Sequence, residues 1–196
     1  MDVDISGLAQ IGYSWNQQTG ANDQLDTNRL RINIAAMPAE NVSFYGSIEG
    51  TNNSSPASAG ASVLGGDGTS DSRVVDMYVD LTYLDWVTLR VGQFPMPNSY
   101  EINTPEYELE TINYSTSVGM FGTRDRGMMI FGDPVPELGW AVWGVNGEGA
   151  ITGASNDNDD SALYGLQLDW NALENLSFKL WASLEDDAAN AANTTN

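Results

Sequence analysis

The sequence contains no cysteine and no histidine among its 196 residues. The absence of cysteine excludes disulfide scaffolds, thiolate zinc sites and cysteine nucleophiles. The absence of histidine excludes imidazole metal ligands and the Ser-His-Asp triad, and it removes the commonest general base. The acidic residues that remain form no recognisable catalytic constellation. We therefore expect no enzymatic activity, no cofactor and no metal site.

Positive charge is also scarce. Seven Lys and Arg stand against 27 Asp and Glu, which gives a formal charge of −20. Binding to nucleic acid requires basic residues to neutralise phosphates, so no nucleic-acid partner is predicted. Charged residues make up 17% and hydrophobic residues 41% of the chain, a balance that favours a folded protein. The length suits one domain, predicted over residues 1–187, followed by a disordered polar tail over residues 188–196.

Long hydrophobic runs are missing as well. No stretch approaches the roughly 18 consecutive apolar residues of a transmembrane helix, so no such helix is predicted. Membrane β-strands stay open as an interpretation, because each needs only about 9–11 residues of alternating polarity.

Apolar and polar residues alternate with a period of two through most of the chain. In residues 75–83 the odd positions hold Val, Met, Val, Leu and Tyr, and the even positions hold Asp, Tyr, Asp and Thr. This period indicates β-strands. Nine strands are predicted, at about residues 3–15, 25–36, 41–50, 73–84, 86–94, 118–132, 138–147, 161–170 and 175–184.

The connections between these strands alternate strictly in length. Four are short (37–40, 84–86, 133–137 and 171–174) and four are long (16–24, 51–72, 95–117 and 148–160). In an antiparallel meander every second connection lies at the same end, so all short turns gather at one end. This asymmetry is typical of outer-membrane barrels. The predicted fold is an all-β antiparallel transmembrane β-barrel meander with short periplasmic turns and long extracellular loops. A soluble β-sandwich is the alternative.

The alternation defines two faces. One face holds apolar residues: Leu30, Ile32, Phe44, Val79, Leu89 and Leu168. The other holds charged residues: Arg29, Arg31, Glu49, Asp76, Asp80, Arg90, Asp169 and Lys179. A membrane barrel would point the apolar face to lipid, whereas a soluble barrel would bury it, and the pattern fits both.

The charged face and one long loop provide candidate functional residues. Arg124 and Arg126 lie one period apart on the sixth strand and are predicted to share a face. The candidate pore-wall residues are Arg29, Arg31, Arg90, Arg124, Arg126, Asp76 and Asp80. Loop 95–117 contains Glu101, Glu106, Glu108 and Glu110 and no Lys or Arg. A basic wall opposite an acidic loop would create a transverse field across a water-filled pore. Alternatively, the arginines pair with Asp76, Asp80 and Asp125.

Residues 89–97 read LRVGQFPMP and resemble the RVGQF-x-x-P signature of the phosphate-selective (O/P-type) porins. TRDRGMM at 123–129 is similar to the family's GRDxGVM strand, and AVWGVNGEG at 141–149 is similar to its GVFNGEG strand. RLRI at 29–32 resembles its RRARL strand. The resemblance spans about residues 25–150 and is most specific in the VGQF and VNGEG segments.

The resemblance implies a homotrimeric outer-membrane channel of about sixteen to eighteen strands, surrounded by outer-membrane lipid and lipopolysaccharide. It also implies that loop 95–117 folds inward as the constriction. Phosphate specificity in that family is attributed to lysines and arginines along the pore. This chain has one lysine and an acidic third loop. We therefore expect a general pore for ions and small hydrophilic solutes, with a preference for cations or neutral solutes.

An odd strand number is unusual, because bacterial single-chain barrels have even numbers of strands. The residues are therefore expected to form the N-terminal part of a larger barrel. Assembly of the barrel from several chains and a miscounted strand are the alternatives. The alternative function is a non-transport surface barrel that acts as a scaffold. Its acidic loops at 67–71 and 157–160 would bind calcium, although neither loop has the EF-hand spacing.

Overall fold

The computed structural model describes residues 2–14, 24–52, 70–98, 100–110, 115, 124–147 and 162–186. These residues form nine strands: β1 (Asp2–Ser14), β2 (Gln24–Ala39), β3 (Val42–Asn52), β4 (Ser70–Leu84), β5 (Val87–Pro95), β6 (Arg124–Val135), β7 (Leu138–Val145), β8 (Ala162–Leu173) and β9 (Leu176–Asp186). Between β5 and β6 lie a four-residue helix, α1 (Tyr100–Asn103), and a 3-10 turn (Glu106–Glu108). The sequence analysis did not predict either of these short helical turns. No helix in the described part of the chain is long and apolar enough to span a membrane.

The nine strands form one open antiparallel sheet in the order β1 to β9. All nine predicted strands are confirmed, most of them with ends within three residues of the prediction. The predicted beginning of the sixth strand, residues 118–123, lies outside the described residues, as does the predicted tail at 188–196. The predicted meander is therefore confirmed.

The predicted alternation of connection lengths is confirmed too. Two residues separate the strands at each of four turns, 40–41, 85–86, 136–137 and 174–175. Because neighbouring strands are antiparallel, these turns all lie at one end of the sheet, and the long connections lie at the other.

The strand register separates the two faces as predicted. Directly paired residues of neighbouring strands lie on the same face. Arg31 pairs with Glu49, and Asp80 pairs with Arg90, so these charged residues share what we call the polar face. The opposite, apolar face contains rows of paired apolar residues: Ile32, Ile48 and Val74 in one row, and Val79, Val91 and Met128 in another.

Burial shows which face is covered. On the polar face Ser47, Glu49 and Asp76 are 1%, 0% and 4% exposed. On the apolar face large side chains are mostly about half exposed or more: Ile5, Ile32, Met77, Met128, Leu166, Leu168, Leu180 and Leu184. Soluble proteins bury apolar side chains and expose charged ones. The sheet thus exposes its apolar face and buries its polar one.

An apolar cluster lies on the polar face near the long-loop end. It consists of Phe94, Met96, Met129, Ala141, Trp143 and Val145. Met96 follows β5 and belongs to the third long connection, whereas four of its cluster partners lie on β6 and β7. The beginning of this connection therefore folds against the polar face of the sheet.

Candidate functional site

Ion pairs between strands occupy the polar face. Arg90 of β5 bonds Asp80 of β4 through two parallel hydrogen bonds, Nε to Oδ1 at 2.7 Å and Nη2 to Oδ2 at 2.8 Å. The guanidinium carbon lies 3.9 Å from the centre of the Tyr78 ring and 5.0 Å from that of Phe131. Two aromatic rings and a bidentate carboxylate thus hold this arginine in one orientation.

Two further pairs are deeply buried. Arg31 of β2 donates through Nε to Oε2 of Glu49 on β3 at 2.9 Å, and its Nη2 contacts the same oxygen. Arg124 donates through Nε to Oδ1 of Asp76 at 2.8 Å. This last pair joins β6 to β4 across the intervening strand β5, and both side chains are at most 10% exposed.

A fourth pair is the most exposed. Lys179 of β9 lies 3.3 Å from Asp169 of β8, and about a third of each side chain is exposed. Gln167 donates to the same carboxylate oxygen at 2.6 Å. The cations of these four pairs are neutralised by carboxylates of other strands. The pairing alternative raised from the sequence therefore holds for Asp76 and Asp80.

The third carboxylate of that alternative, Asp125, accepts backbone hydrogen bonds. The amides of Arg126 and Gly147 donate to its two oxygens at 2.6 and 2.9 Å. Gly147 has a positive φ of 92°, a conformation that glycine adopts without strain. The carboxylate therefore helps fix the chain where it leaves β7.

Arg126, the fifth predicted pore-wall arginine, lies apart from the ion pairs of the polar face. It pairs in register with Gln93, which pairs with Met77 of the apolar face. Arg126 is exposed, whereas Arg124 is 8% exposed. Arg124 is the first residue of β6 and pairs in register with Pro95, and its Nε reaches Asp76. The two arginines thus do not share one environment.

Gln93 was not among the residues predicted from the sequence, although it connects three strands. Its Nε2 donates to the carbonyls of Val74 and Val75 at 3.0 and 2.7 Å, and its Oε1 accepts from Arg126 Nε at 3.1 Å. Val75 is the extra residue of a β-bulge, because Ser47 pairs with Asp76 and Ile48 with Val74. The Val-Val doublet breaks the alternation and is the signal that could have indicated the bulge.

Not all predicted residues can be placed. By register Arg29 lies opposite Gln10, but its side chain and that of Glu106 are outside the described atoms. Glu108 and Glu110 are exposed in the connection after β5. Residues 157–160 of the predicted calcium loops are outside the described ranges. Within those ranges no three acidic side chains are grouped so that they could hold a metal ion.

Glu101 forms a hydrogen bond with another residue of the third long connection. The backbone amide of Ser115 donates to Glu101 Oε2 at 2.6 Å. This hydrogen bond lowers the pKa of the Glu101 carboxyl below its ordinary value. Glu101 and Ile102 are adjacent residues of α1, and Ile102 is 4% exposed, so one side of this short helix is covered.

No protein-family model matches this sequence. A search of curated proteins finds no significantly similar relative.

Proposed function

We propose that this chain forms the wall of an outer-membrane porin, a water-filled channel for passive diffusion of ions and small hydrophilic solutes. The observation that carries the proposal is the polarity of the sheet, which exposes its apolar face and buries charged pairs on the other. An exposed apolar face is stable in hydrocarbon and costly in water. Charged residues on the opposite face suit a hydrated lumen.

Aromatic residues at the short-turn end of the sheet also support a membrane-facing apolar surface. Trp170 and Phe178 stack at 5.7 Å near the short turns, and both are about half exposed on the apolar face. Trp86 in another short turn is also half exposed. Amphipathic aromatic residues favour the membrane–water interface. These positions fit a periplasmic interface at the short-turn end.

The open edges require partners under this proposal. The unpaired backbone of β1 and β9 cannot face lipid, because each unsatisfied group there costs several kcal/mol. Further strands must therefore pair with both edges, and the nine strands are part of a larger barrel. The O/P-type porins, which the sequence resembles, offer the corresponding architecture of a homotrimer in lipopolysaccharide-containing membrane.

The charges indicate a general channel. Four of the basic side chains described on the polar face are paired with carboxylates, so they offer little net positive charge to phosphate. The connection after β5 begins by folding against the polar face and carries Glu101, Glu108 and Glu110. It is the proposed constriction, and its carboxylates favour cations.

Planar-bilayer recording of the purified chain under a salt gradient tests the proposal. Discrete conductance steps are expected, with a reversal potential on the cation side. Heat-denatured protein is the control. Closed barrels that contain the folded chain and give no steps would contradict the channel and favour the non-transport scaffold.

A further inference from the structure

Arg126 is the one described cation that lies on the apolar face. Arg31, Arg90, Arg124 and Lys179 each pair with a carboxylate. Arg126 instead lies in the row of Gln93, directly beyond the row that contains Met128. An exposed guanidinium at the margin of an apolar surface needs a partner of a different kind from the other four.

The Nε group of Arg126 is hydrogen-bonded within the protein, whereas its two Nη groups are available to a ligand. Its Nε donates to Gln93 Oε1 at 3.1 Å. Gln93 is 7% exposed and is fixed by two carbonyls of the β4 bulge. Within the described part of the chain, the two terminal Nη groups of Arg126 meet no acceptor. A fixed Nε with two open Nη groups presents a fork that matches two oxygens of a phosphate.

The height of Arg126 corresponds to a membrane interface. Val135, at the short-turn end of β6, lies nine positions after Arg126. At about 3.3 Å per residue this is roughly 30 Å along the strand. A tilt of about 40° reduces it to roughly 23 Å, close to the 25 Å height of a barrel's apolar band. Arg126 therefore lies where headgroups begin, on the long-loop side.

The neighbouring row agrees with this height. Tyr164 of β8 lies in the row of Met128, connected through Gly144, and is 56% exposed. Tyrosine is enriched where hydrocarbon meets water. The row continues from Tyr164 to Leu184 of β9. An apolar row that contains a tyrosine and is followed by a row that contains an arginine is the pattern expected at the headgroup boundary.

We propose that Arg126, oriented by Gln93, binds a phosphate of lipopolysaccharide in the outer leaflet. This inference depends on the proposed function, since it requires the apolar face to lie in the outer membrane. The chain carries a net charge of −20, which repels an anionic lipid surface. A cation on the lipid-facing side provides a local attraction that the paired cations described on the polar face do not.

The test titrates the folded full chain in detergent micelles with lipopolysaccharide, with its dephosphorylated form and with inorganic phosphate. Arg126→Gln removes the fork, and Arg126→Lys keeps the charge without it. Lys179→Gln is the matched control, because it removes one positive charge from the polar face. Circular dichroism checks that each variant retains its β-sheet.

The unmodified chain should prefer the phosphorylated lipid by about tenfold, as expected for a charge-assisted contact. Arg126→Gln should abolish this preference, Arg126→Lys should reduce it, and Lys179→Gln should preserve it. The site would be refuted by a preference that survives in Arg126→Gln, by an equal loss in Lys179→Gln, or by equal competition from inorganic phosphate. Reconstitution into phosphatidylcholine vesicles separates the two proposals: a chain that fails to insert overturns both, whereas insertion without phosphate preference overturns only the site.

Discussion

At the scale of single residues, Gly165 provides the space for the largest buried side chain. Trp143 of β7 is 2% exposed, and its indole ring lies over Gly165 of β8. A Cβ on Gly165 would overlap ring atoms Cζ2 and Cε2 and would lie 2.6 Å from Nε1. The glycine is thus required by packing.

Gly165→Ala should destabilise the folded chain by about 1–3 kcal/mol, because the added methyl must displace a packed indole. Chemical denaturation in detergent, followed by Trp fluorescence, measures the change. Gly50→Ala is the control, since no atom of the described residues, apart from the glycine itself and its chain neighbours, lies within 4 Å of its added Cβ. In a Trp143→Leu background Gly165→Ala should cost much less. Equal effects of the two alanines in the unmodified chain would contradict this account.

At the scale of elements, the Arg124–Asp76 pair connects two strands that are not neighbours. Both side chains are at most 10% exposed, so loss of one partner leaves a buried, uncompensated charge. Arg124→Met should therefore cost about 3–5 kcal/mol. Lys179→Met, at a pair about one-third exposed, should cost about 1 kcal/mol or less. The denaturation midpoints of the two variants measure the two losses of stability. Similar losses would show that burial does not determine how much each ion pair contributes.

Local alternation predicts most of this architecture. The period of two identifies the strands and both faces, because side-chain direction in a strand follows directly from sequence parity. It cannot say which face is covered, since that depends on the surroundings of the whole sheet. Nor does it predict the bulge at Val75 or the position of Arg126. A bulge depends on pairing between strands, and the prediction for Arg126 assumed that the face of one arginine fixes that of the other.

The third long connection has its own pH dependence. The pKa of Glu101 is lowered by the Ser115 amide, so the bond stabilises the loop above the ordinary glutamate pKa of about 4.3. This contribution is lost as the pH falls through the lowered pKa. The Ser115 amide resonance should therefore titrate with a midpoint below the ordinary pKa of a glutamate. Glu101→Gln should remove this transition and Glu110→Gln should retain it. A midpoint that is not lowered would contradict the hydrogen bond.

At the scale of the whole molecule, positive charge is scarce and mostly neutralised, whereas negative charge is abundant. Seven basic residues face 27 acidic ones, and four basic side chains are paired with carboxylates on the polar face. In the proposed channel a paired cation contributes little field. The uncompensated carboxylates of the constriction should then determine ion preference. Substitutions can therefore distinguish the effect of these carboxylates from that of the ion pairs on the polar face.

Reversal potentials of three variants test this separation at the most exposed pair, Asp169 and Lys179. Asp169→Asn alone leaves a positive charge and should shift the potential toward anions, whereas Lys179→Gln alone should shift it toward cations. The double variant should return to the value of the unmodified chain, because the pair has no net charge. Neutralising Glu101, Glu106, Glu108 and Glu110 together should move the potential toward zero in every background. A large shift in the double variant, or none in the loop variant, would mean that the polar face determines the selectivity and that the loop is not the constriction.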